Sequence, residues 1–385
     1  MALFAYDYYE KRYTGNDPNA DLPVSIEDWM EAAKQKMSPE AWSYISSSAG
    51  SASTEMENRK ALERYRLRPR YMINVKKDDM STTFLGKRHK FPVALAPIGV
   101  TSIIHDDAEA GIARAARNIG IPFSVSTVSS ITMEDAAAAA PDAERYFQLY
   151  PPKDTDVMRS FIKRAEKAGY SALIVTADTT VIGWRESDLK LSYIPFFRGI
   201  GLANYMSDDV FVSKLKKSPS EDMVGAVMAA ISIFMDQSLN WERFREIVKM
   251  TKLPVVLKGV THPDDVNRAF ELGAKAVVIS NHGGRQVDGA ISSIDALYEI
   301  WKNGGAKGEL LFDSGIRHGA DIVKALTMGA SAVLIGRPFC YAYAAGGQRG
   351  IEVYMKQLLS ELNVQMALSG NRTVDDLKKG EIYRI

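Results

Sequence analysis

The chain has 385 residues, of which 46% are hydrophobic and 25% charged, as is usual for globular proteins. Its 48 Lys and Arg residues against 47 Asp and Glu leave a net charge of +1, so no overall field favours nucleic acid or an anionic membrane. A single cysteine, Cys340, excludes an internal disulfide framework, and the first residues have no secretory pattern, so we expect a cytoplasmic protein without a signal peptide.

Residues 1–70 predict a helical N-terminal cap. Ser38 followed by Pro39 is typical of a helix N-cap with proline in the first turn. Thr54 and Glu57 have the spacing of a capping box and predict the start of a further helix.

From Phe91 onward, short β-branched runs alternate with amphipathic segments. Four of these segments end in glycine, at positions 120, 169, 273 and 329, as helices with a left-handed C-terminal residue do. The predicted strands are Val93–Ala96, Phe123–Ser126, Arg145–Leu149, Ala172–Thr176, Pro254–Lys258, Ala276–Ser280, Glu309–Asp313 and Ala332–Ile335.

Eight strands, each followed by a helix, predict an α/β fold of the (β/α)8 TIM-barrel class as one domain over 1–385, with the barrel at 91–178 and 241–377. A doubly wound open sheet is the alternative, although no GxGxxG follows the first strand. The fourth strand is followed by a long connection, residues 179–240, whose aromatic residues predict an ordered lid over the active site. Within it, the apolar run 223–235 is either a core helix of the lid or a membrane contact, and is too short to span a bilayer.

Polar and glycine residues follow every predicted strand, where barrel enzymes place their active sites. Gly315 and Gly336 come after strands seven and eight, the frequent phosphate site of this fold, together with Arg317 and Arg337. Turn glycines with solvated arginines are the alternative interpretation.

His282 lies in the glycine-flanked loop after strand six and is the predicted general base, or else a structural loop histidine. Asp178, from the end of strand four, could orient it, and Arg285 and Arg185 could bind a substrate carboxylate. Lys258 lies at the end of strand five. Its ammonium group is either buried or carried to solvent by the aliphatic part of the side chain. The other histidines, at 89, 105, 262 and 318, are expected to be structural.

The segment SNHGGRQ, followed by DSGIRHGADIVKALTMGASAVLIGRP, resembles the signature of the FMN-dependent 2-hydroxy acid oxidase family. Supporting pieces include LAPIG, RYFQLYPPKD, TADTTVIGWRESD and LPVVLKGV, and the likeness extends from about Ile26 to Leu377. Glycolate oxidases, lactate oxidases, lactate 2-monooxygenases and mandelate dehydrogenases belong to this family.

The resemblance implies roles for individual residues. His282 matches the base, Asp178 its carboxylate partner, and Tyr150 the tyrosine that bonds the substrate hydroxyl. Substrate carboxylate binding is implied for Arg285 with Tyr44, and for Arg185 as a second arginine. Lys258 matches the lysine beside the flavin N1–C2 edge, where its charge would stabilise the reduced flavin. The remaining residues implied to contact FMN are Pro97, Ile98, Gly99, Ser126, Gln148, Thr176, Ser280, Asp313, Gly315, Arg317, Gly336 and Arg337.

Three departures from the glycolate oxidase pattern favour a small L-2-hydroxy acid, L-lactate in particular, with O2 as electron acceptor. After Asp178 the run is TTVIGWR, Val128 replaces a tryptophan, and Gly99 stands where many relatives have alanine. A missing methyl group at Gly99 and a closed lid could retain pyruvate until peroxide decarboxylates it, which would make acetate, CO2 and water.

Three alternatives remain at this stage. One is a quinone-linked lactate dehydrogenase that contacts a membrane through the run 223–235; membrane association is otherwise not expected. Another is a phosphate-binding barrel of the nucleotide dehydrogenase or isomerase type, and the third a non-catalytic flavin-binding protein. No metal is expected, and the resemblance implies a homotetramer. Neither the identity of the atom that His282 deprotonates nor a role for Cys340 follows from the sequence.

Overall fold

A computed structural model describes residues 3–76 and 78–385. Its centre is an eight-stranded parallel sheet in which each strand pairs with its neighbours in chain order and the eighth returns to the first. The first two strands meet through a hydrogen bond from the Leu95 amide to the Pro122 carbonyl, at 2.9 Å, so the sheet is a closed barrel. The predicted TIM barrel is confirmed, and the open sheet is excluded. The strands are β1 (Val93–Leu95), β2 (Phe123–Ser126), β3 (Arg145–Leu149), β4 (Ala172–Thr176), β5 (Val255–Val260), β6 (Ala276–Ile279), β7 (Glu309–Phe312) and β8 (Ala330–Ile335).

Strand residues alternate between the barrel interior and the outer helices, because successive side chains point to opposite faces. Ile174 of β4 belongs to the interior cluster with Tyr146 and Leu334, whereas its neighbours Leu173 and Val175 pack in the larger outer cluster. Both faces are therefore buried, which explains the nearly unbroken apolar strand sequences. The outer helices are Ala108–Ile119, Met133–Ala139, Thr155–Lys167, Trp241–Met250, Pro263–Glu271, Ser293–Lys302, Gly319–Thr327 and Arg337–Leu368.

A short hairpin that the sequence interpretation missed closes the amino-terminal end of the barrel. Its strands, Thr82–Phe84 and Lys87–His89, precede β1, and Phe84 and Leu85 at its tip belong to the interior cluster. The carboxyl end of the barrel is left for the site.

The N-terminal segment is helical as predicted, with helices Phe4–Tyr13, Ile26–Lys36, Pro39–Ser46 and Ser53–Arg64. Ser38 caps its helix by accepting a hydrogen bond from the Ala41 amide at 3.2 Å. A strand, Tyr65–Leu67, follows them and pairs antiparallel with Ile382–Arg384.

The capping box predicted from Thr54 and Glu57 is wrong. The helix begins at Ser53, so Thr54 lies within its first turn and its hydroxyl donates to the Val287 carbonyl at 2.8 Å. Asp288, from the loop after β6, accepts hydrogen bonds from the amides of Ser53 (2.8 Å) and Thr54 (3.4 Å) instead. The cap of this helix therefore comes from a distant part of the chain.

The insertion between β4 and the helix Trp241–Met250 is ordered as a set of short helices. The apolar run forms the helix Met223–Phe234, which buries Ala226, Val227, Ala230 and Phe234 and leaves Met223, Val224 and Met228 exposed. Among the described residues, no helix combines the length and apolarity needed to cross a bilayer. The other helices of the insertion are Glu186–Lys190, Pro195–Arg198 (3-10), Ala203–Met206 and Asp209–Ser213.

Candidate active site

A cavity opens at the carboxyl ends of the barrel strands, beneath the insertion. Most of the residues singled out from the sequence meet there, although they come from distant parts of the chain. Those lining it are Tyr44, Pro97, Ile98, Gly99, Tyr150, Arg185, Lys258, His282, Arg285, Asp313, Gly315, Arg317, Gly336 and Arg337.

Five predicted residues are not part of this lining: Ser126, Gln148, Thr176 and Ser280 are buried, and Asp178 is partly buried. Ser126, Gln148 and Thr176 end strands β2, β3 and β4 and form a hydrogen-bonded row, in which the Gln148 amide donates to the Thr176 hydroxyl at 2.6 Å. Ser280 accepts hydrogen bonds from Lys258 Nζ and from the His282 amide, both at 3.1 Å. These hydrogen-bonded side chains make the inner end of the site polar.

Asp178 and His282 form a partly buried pair. His282 Nδ1 lies 2.8 Å from Asp178 Oδ1, which leaves Nε2 as the nitrogen that is free to face a substrate. Gly259, with φ of +95°, makes room for this carboxylate, because a Cβ at that position would lie 2.4 Å from Asp178. Burial acts to raise the pKa of Asp178, but His282 and Lys258 outweigh burial and lower it below 3.8.

Burial lowers the pKa of His282 below 6.5, with Lys258 acting in the same direction and Asp178 against it. The imidazole is therefore neutral near pH 7 and able to accept a proton. Its backbone has φ of +58°, a left-handed conformation that is costly for a residue with a Cβ and that recurs at functional loops. Ser280 and Ser314 stabilise this turn, since their hydroxyls accept hydrogen bonds from the amides of His282 and Gly283.

Lys258 is buried, so it does not reach solvent as the alternative interpretation had it. Its Nζ lies 3.2 Å from Asp313 Oδ2. Burial acts to lower the pKa of Lys258, but Asp313 and Asp178 raise it overall, so the amine stays charged. The site thus contains a permanent buried cation.

Arg285 has a partly buried guanidinium that no carboxylate of the described residues contacts. Its Nη1 donates to the carbonyl (2.7 Å) and hydroxyl (3.2 Å) of Ser47, and its charge lies over the Tyr44 ring at 5.3 Å. Burial, with Arg185 and Arg337 nearby, lowers its pKa to about 9. Because buried charges require partners, this cluster of arginines is suited to binding anions.

A second anion cradle follows β7 and β8. Gly315 has φ of +92°, and a Cβ there would lie 3.0 Å from the Asn58 carbonyl, so only glycine fits. Gly336 directly precedes the helix Arg337–Leu368, whose amino-terminal amides favour a negative group. Arg317 is mostly buried rather than solvated, and its guanidinium lies 4.0 Å from the Glu55 carboxylate. Backbone amides and two arginines here form a site of the kind that binds phosphate.

The remaining wall is apolar and aromatic. Tyr150 packs against Phe234 with ring centroids 5.3 Å apart, and Phe234 packs against Phe196 at the same distance. Burial raises the pKa of Tyr150, with Asp178 adding to the effect, so its hydroxyl stays protonated. Phe196 comes from an aromatic group already noted in the insertion, but Phe234 was missed, because an apolar run gives no sign of which member points inward. Other lining residues that were not predicted are Ile45, Ala96, Thr179, Ile182, Ile194, Met235, Gly283, Ser314, Ile316, Leu334 and Cys340.

Gly99 has no space for a side chain. A Cβ there would lie 2.5 Å from Val128 Cγ2 and 2.8 Å from the Val128 carbonyl oxygen. The two residues set this wall together, since the Val100 amide also donates to the Val128 carbonyl at 2.8 Å.

The other four histidines lie outside the cavity. His89 stacks on Phe84, and His105 stacks on Tyr343, with centroids 3.7 and 4.7 Å apart. His262 caps the helix Pro263–Glu271, and His318 lies 3.5 Å from Glu361. Their structural interpretation fits these contacts.

These features are those of a barrel enzyme with a candidate phosphate site beside a histidine–carboxylate pair and a cluster of arginines. The profile of the FMN-dependent dehydrogenase family matches residues 33–384. The FMN-dependent alpha-hydroxy acid dehydrogenase qulF of Penicillium citrinum is 42% identical, over 92% of this chain and 89% of that protein. An L-lactate oxidase of Lysinibacillus sphaericus is 38% identical, over 93% and 92% of the two chains. A crystal structure of mandelate oxidase with (S)-2-phenylpropionate superposes with a TM-score of 0.82 at 33% identity, over 94% of this chain and 99% of that one.

The chain therefore belongs to the FMN-dependent dehydrogenase family. It is an FMN-dependent 2-hydroxy acid oxidoreductase, and the cradle after β7 and β8 with the buried cation Lys258 suits the phosphate and the ring of FMN.

Proposed function

We propose that this enzyme oxidises a small L-2-hydroxy acid, L-lactate in particular, to the 2-oxo acid and passes the electrons to O2. The observation that carries the proposal is the convergence, at one cavity, of the His282–Asp178 pair and of Arg285, which meets no carboxylate of the described residues. A base beside an anion site is what removal of hydrogen from a 2-hydroxy carboxylate requires.

Arg285 binds the substrate carboxylate, with Arg185 and Tyr44 completing the site. Arg285 donates to Ser47 through Nη1, so the other N–H groups of its guanidinium can bind a carboxylate. Neutralisation of the guanidinium by this anion compensates for its burial, so binding is specific for acids.

His282 takes a proton from the bound substrate through Nε2. Asp178 holds Nδ1 and stabilises the imidazolium that forms, as the third member of a triad does. Tyr150, which stays protonated, donates its hydroxyl hydrogen to the substrate oxygen.

FMN supplies a two-electron acceptor when bound. Its phosphate would be held by Gly315, Gly336, Arg317 and Arg337, and Lys258 would stabilise negative charge on the reduced ring. The other residues proposed to contact FMN are Pro97, Ile98, Gly99, Ser126, Gln148, Thr176, Ser280 and Asp313.

The choice of L-lactate is supported by the departures from the glycolate oxidase pattern and by the relative named L-lactate oxidase. The apolar wall of Val128, Phe196 and Phe234 accepts a methyl group and rejects a charged substituent. Relatives named for lactate and for mandelate both resemble the chain, so the size of the substituent is the point to test.

The insertion is proposed to act as a lid, because Ile182, Ile194, Phe196, Phe234 and Met235 cover the cavity. A lid that retains pyruvate with peroxide favours the lactate 2-monooxygenase outcome, in which pyruvate and H2O2 become acetate, CO2 and water. Early release gives the lactate oxidase outcome, pyruvate and H2O2. The quinone-linked alternative rests on the exposed Met223, Val224 and Met228, and the homotetramer remains a prediction.

The test is anaerobic mixing of the yellow holoenzyme with L-lactate, followed at the flavin absorbance band. Prompt bleaching is expected, and D-lactate is the matched control. Admission of air then separates the outcomes: acetate marks the monooxygenase, and pyruvate with peroxide the oxidase. Failure of O2 to restore the colour, with restoration by a quinone, would contradict the assignment of O2. A flavin that L-lactate leaves oxidised would contradict the assignment of the substrate.

A further inference from the structure

Gln286 directly follows Arg285 in the loop after β6, but its side chain turns away from the cavity. It meets instead the first residues of the insertion, which follow β4. Strand β5 lies between β4 and β6 in the sheet, so no strand ladder joins these two loops. The N-terminal segment bridges them in part, since the amides of Ala49 and Gly50 donate to the carbonyls of Gly284 (2.8 Å) and Trp184 (2.7 Å). The direct contacts between the two loops are made by side chains, those of Gln286 among them.

The Gln286 amide makes four hydrogen bonds across this gap. Nε2 donates to the carbonyl oxygens of Asp178 (2.8 Å) and Val181 (2.9 Å). Oε1 accepts from the Gly183 amide and from Arg185 Nη2, both at 3.3 Å. Both N–H groups and both lone pairs are in use, which is the full capacity of a glutamine side chain.

The two halves of this amide serve two parts of the site. The donor half grips the backbone of Asp178, the residue whose carboxylate meets His282. The acceptor half holds Arg185, whose Nε also donates to the Arg285 carbonyl at 3.3 Å. Gly183 permits the approach, since a Cβ there would lie 2.3 Å from that same carbonyl.

We propose that Gln286 is a positioning residue, whose amide aligns Asp178 with His282 and Arg185 with Arg285 across the gap between β4 and β6. The inference rests on the proposed function for its kinetic consequences only. The alignment of Asp178 with His282 can be measured without turnover, through the titration of His282.

Two substitutions separate the halves of the amide. Gln286→Met keeps the length of the side chain and removes all four hydrogen bonds. Gln286→Glu keeps the acceptor half and gains an ion pair with Arg185, but turns an oxygen toward the carbonyls of Asp178 and Val181. Gln348 provides the matched control: its amide accepts from Arg114 at 3.0 Å and donates to Glu352 at 2.9 Å, far from the cavity.

The first readout is anaerobic flavin reduction by L-lactate. For Gln286→Met we expect the rate constant of reduction to fall and the apparent Kd for L-lactate to rise, each by about tenfold or more, because small misplacements of reacting groups are costly. For Gln286→Glu we expect a similar fall in the rate constant with an apparent Kd near that of the wild type. Gln348→Met and Gln348→Glu should leave both unchanged. Equal FMN content and equal melting temperature of all variants guard against misfolding.

The second readout is the titration of His282, followed by NMR with 15N-labelled histidine and assigned with His282→Asn. The charged groups that act on this imidazole are Asp178, Lys258 and Arg285. Methionine adds no charge, so displacement of the Asp178 carboxylate should make His282 titrate at a lower pH in Gln286→Met than in the wild type. An unchanged titration together with an unchanged rate would overturn the proposal. A shifted titration in an enzyme that no 2-hydroxy acid reduces would support the alignment and refute the proposed function instead.

Discussion

Replacement of Asn204 by alanine should destabilise the enzyme and loosen the wall of its pocket. Asn204 belongs to the insertion and has no exposed surface. Its Oδ1 accepts from the Met133 amide at 2.9 Å. Its Nδ2 donates to the Ser129 hydroxyl at 2.8 Å and, at longer range, to the carbonyls of Ser126 and Thr127. One amide therefore holds the insertion on the loop that contains Val128.

The magnitude follows from what the substitution leaves behind. The Met133 amide, in the first turn of its helix, would be buried without an acceptor, which costs about 1–3 kcal/mol. The lost contacts and the small cavity add to this, so we expect a loss of about 2–4 kcal/mol in the free energy of unfolding. Since the same loop contains Val128, KM for L-lactate should rise as well.

The assay is urea denaturation of the holoenzyme, read by circular dichroism and by flavin fluorescence. The two transitions must coincide for a two-state analysis to hold. Asn118→Ala is the control, because its side chain is exposed and bonds to Glu352 at the surface, so a change within about 0.5 kcal/mol is expected. A loss of unfolding free energy below about 1 kcal/mol for Asn204→Ala would show that the Met133 amide does not depend on Asn204 as its acceptor.

Four further predictions concern the reacting groups and the glycine that makes room for them. Gly259→Ala should lower kcat roughly 100-fold, because its Cβ would displace Asp178 from His282; normal rates in a correctly loaded variant would contradict this. Because His282 has a lowered pKa and must be neutral to act, activity should be retained above pH 6.5 and lost as the pH falls through a value below 6.5. Asp178→Asn should move that loss to lower pH while reducing kcat; a pH profile identical to the wild type would argue against the pair. Arg285→Lys keeps the charge but loses the planar guanidinium that bonds to both Ser47 and the substrate carboxylate, so KM should rise about 10- to 100-fold in steady-state assays. An unchanged KM would mean that Arg285 does not bind the carboxylate.

The strands and most outer helices could be predicted because their signals are local. β2, β3 and β4 have the predicted bounds, and the other barrel strands differ by one or two residues at an end. Apolar runs bounded by glycine report the burial of each segment independently of its neighbours. The candidate site followed from the same pattern, since the carboxyl ends of parallel strands meet at one end of a barrel.

The side chains that cover the cavity could not be predicted in this way. Phe234 and Met223 belong to the same apolar helix, yet one packs on Tyr150 and the other is exposed. Hydrophobicity alone did not separate them, because the inward face depends on how the insertion packs on the barrel. The hairpin at the other end of the barrel was missed for a related reason: its strands are only three residues long.

The alternation of strands and helices, the family motifs and the group of polar residues at the strand ends are all legible in the amino-acid sequence. Each of these depends on periodicity and on residue chemistry within a few neighbouring positions. Which distant groups bind one another is established by the packing of the folded chain. Asp288 caps a helix that begins at Ser53, and Gln286 holds the backbone of Asp178. Such pairings arise when packed elements bring polar groups together over hundreds of residues, and no local pattern encodes the partner that each group meets.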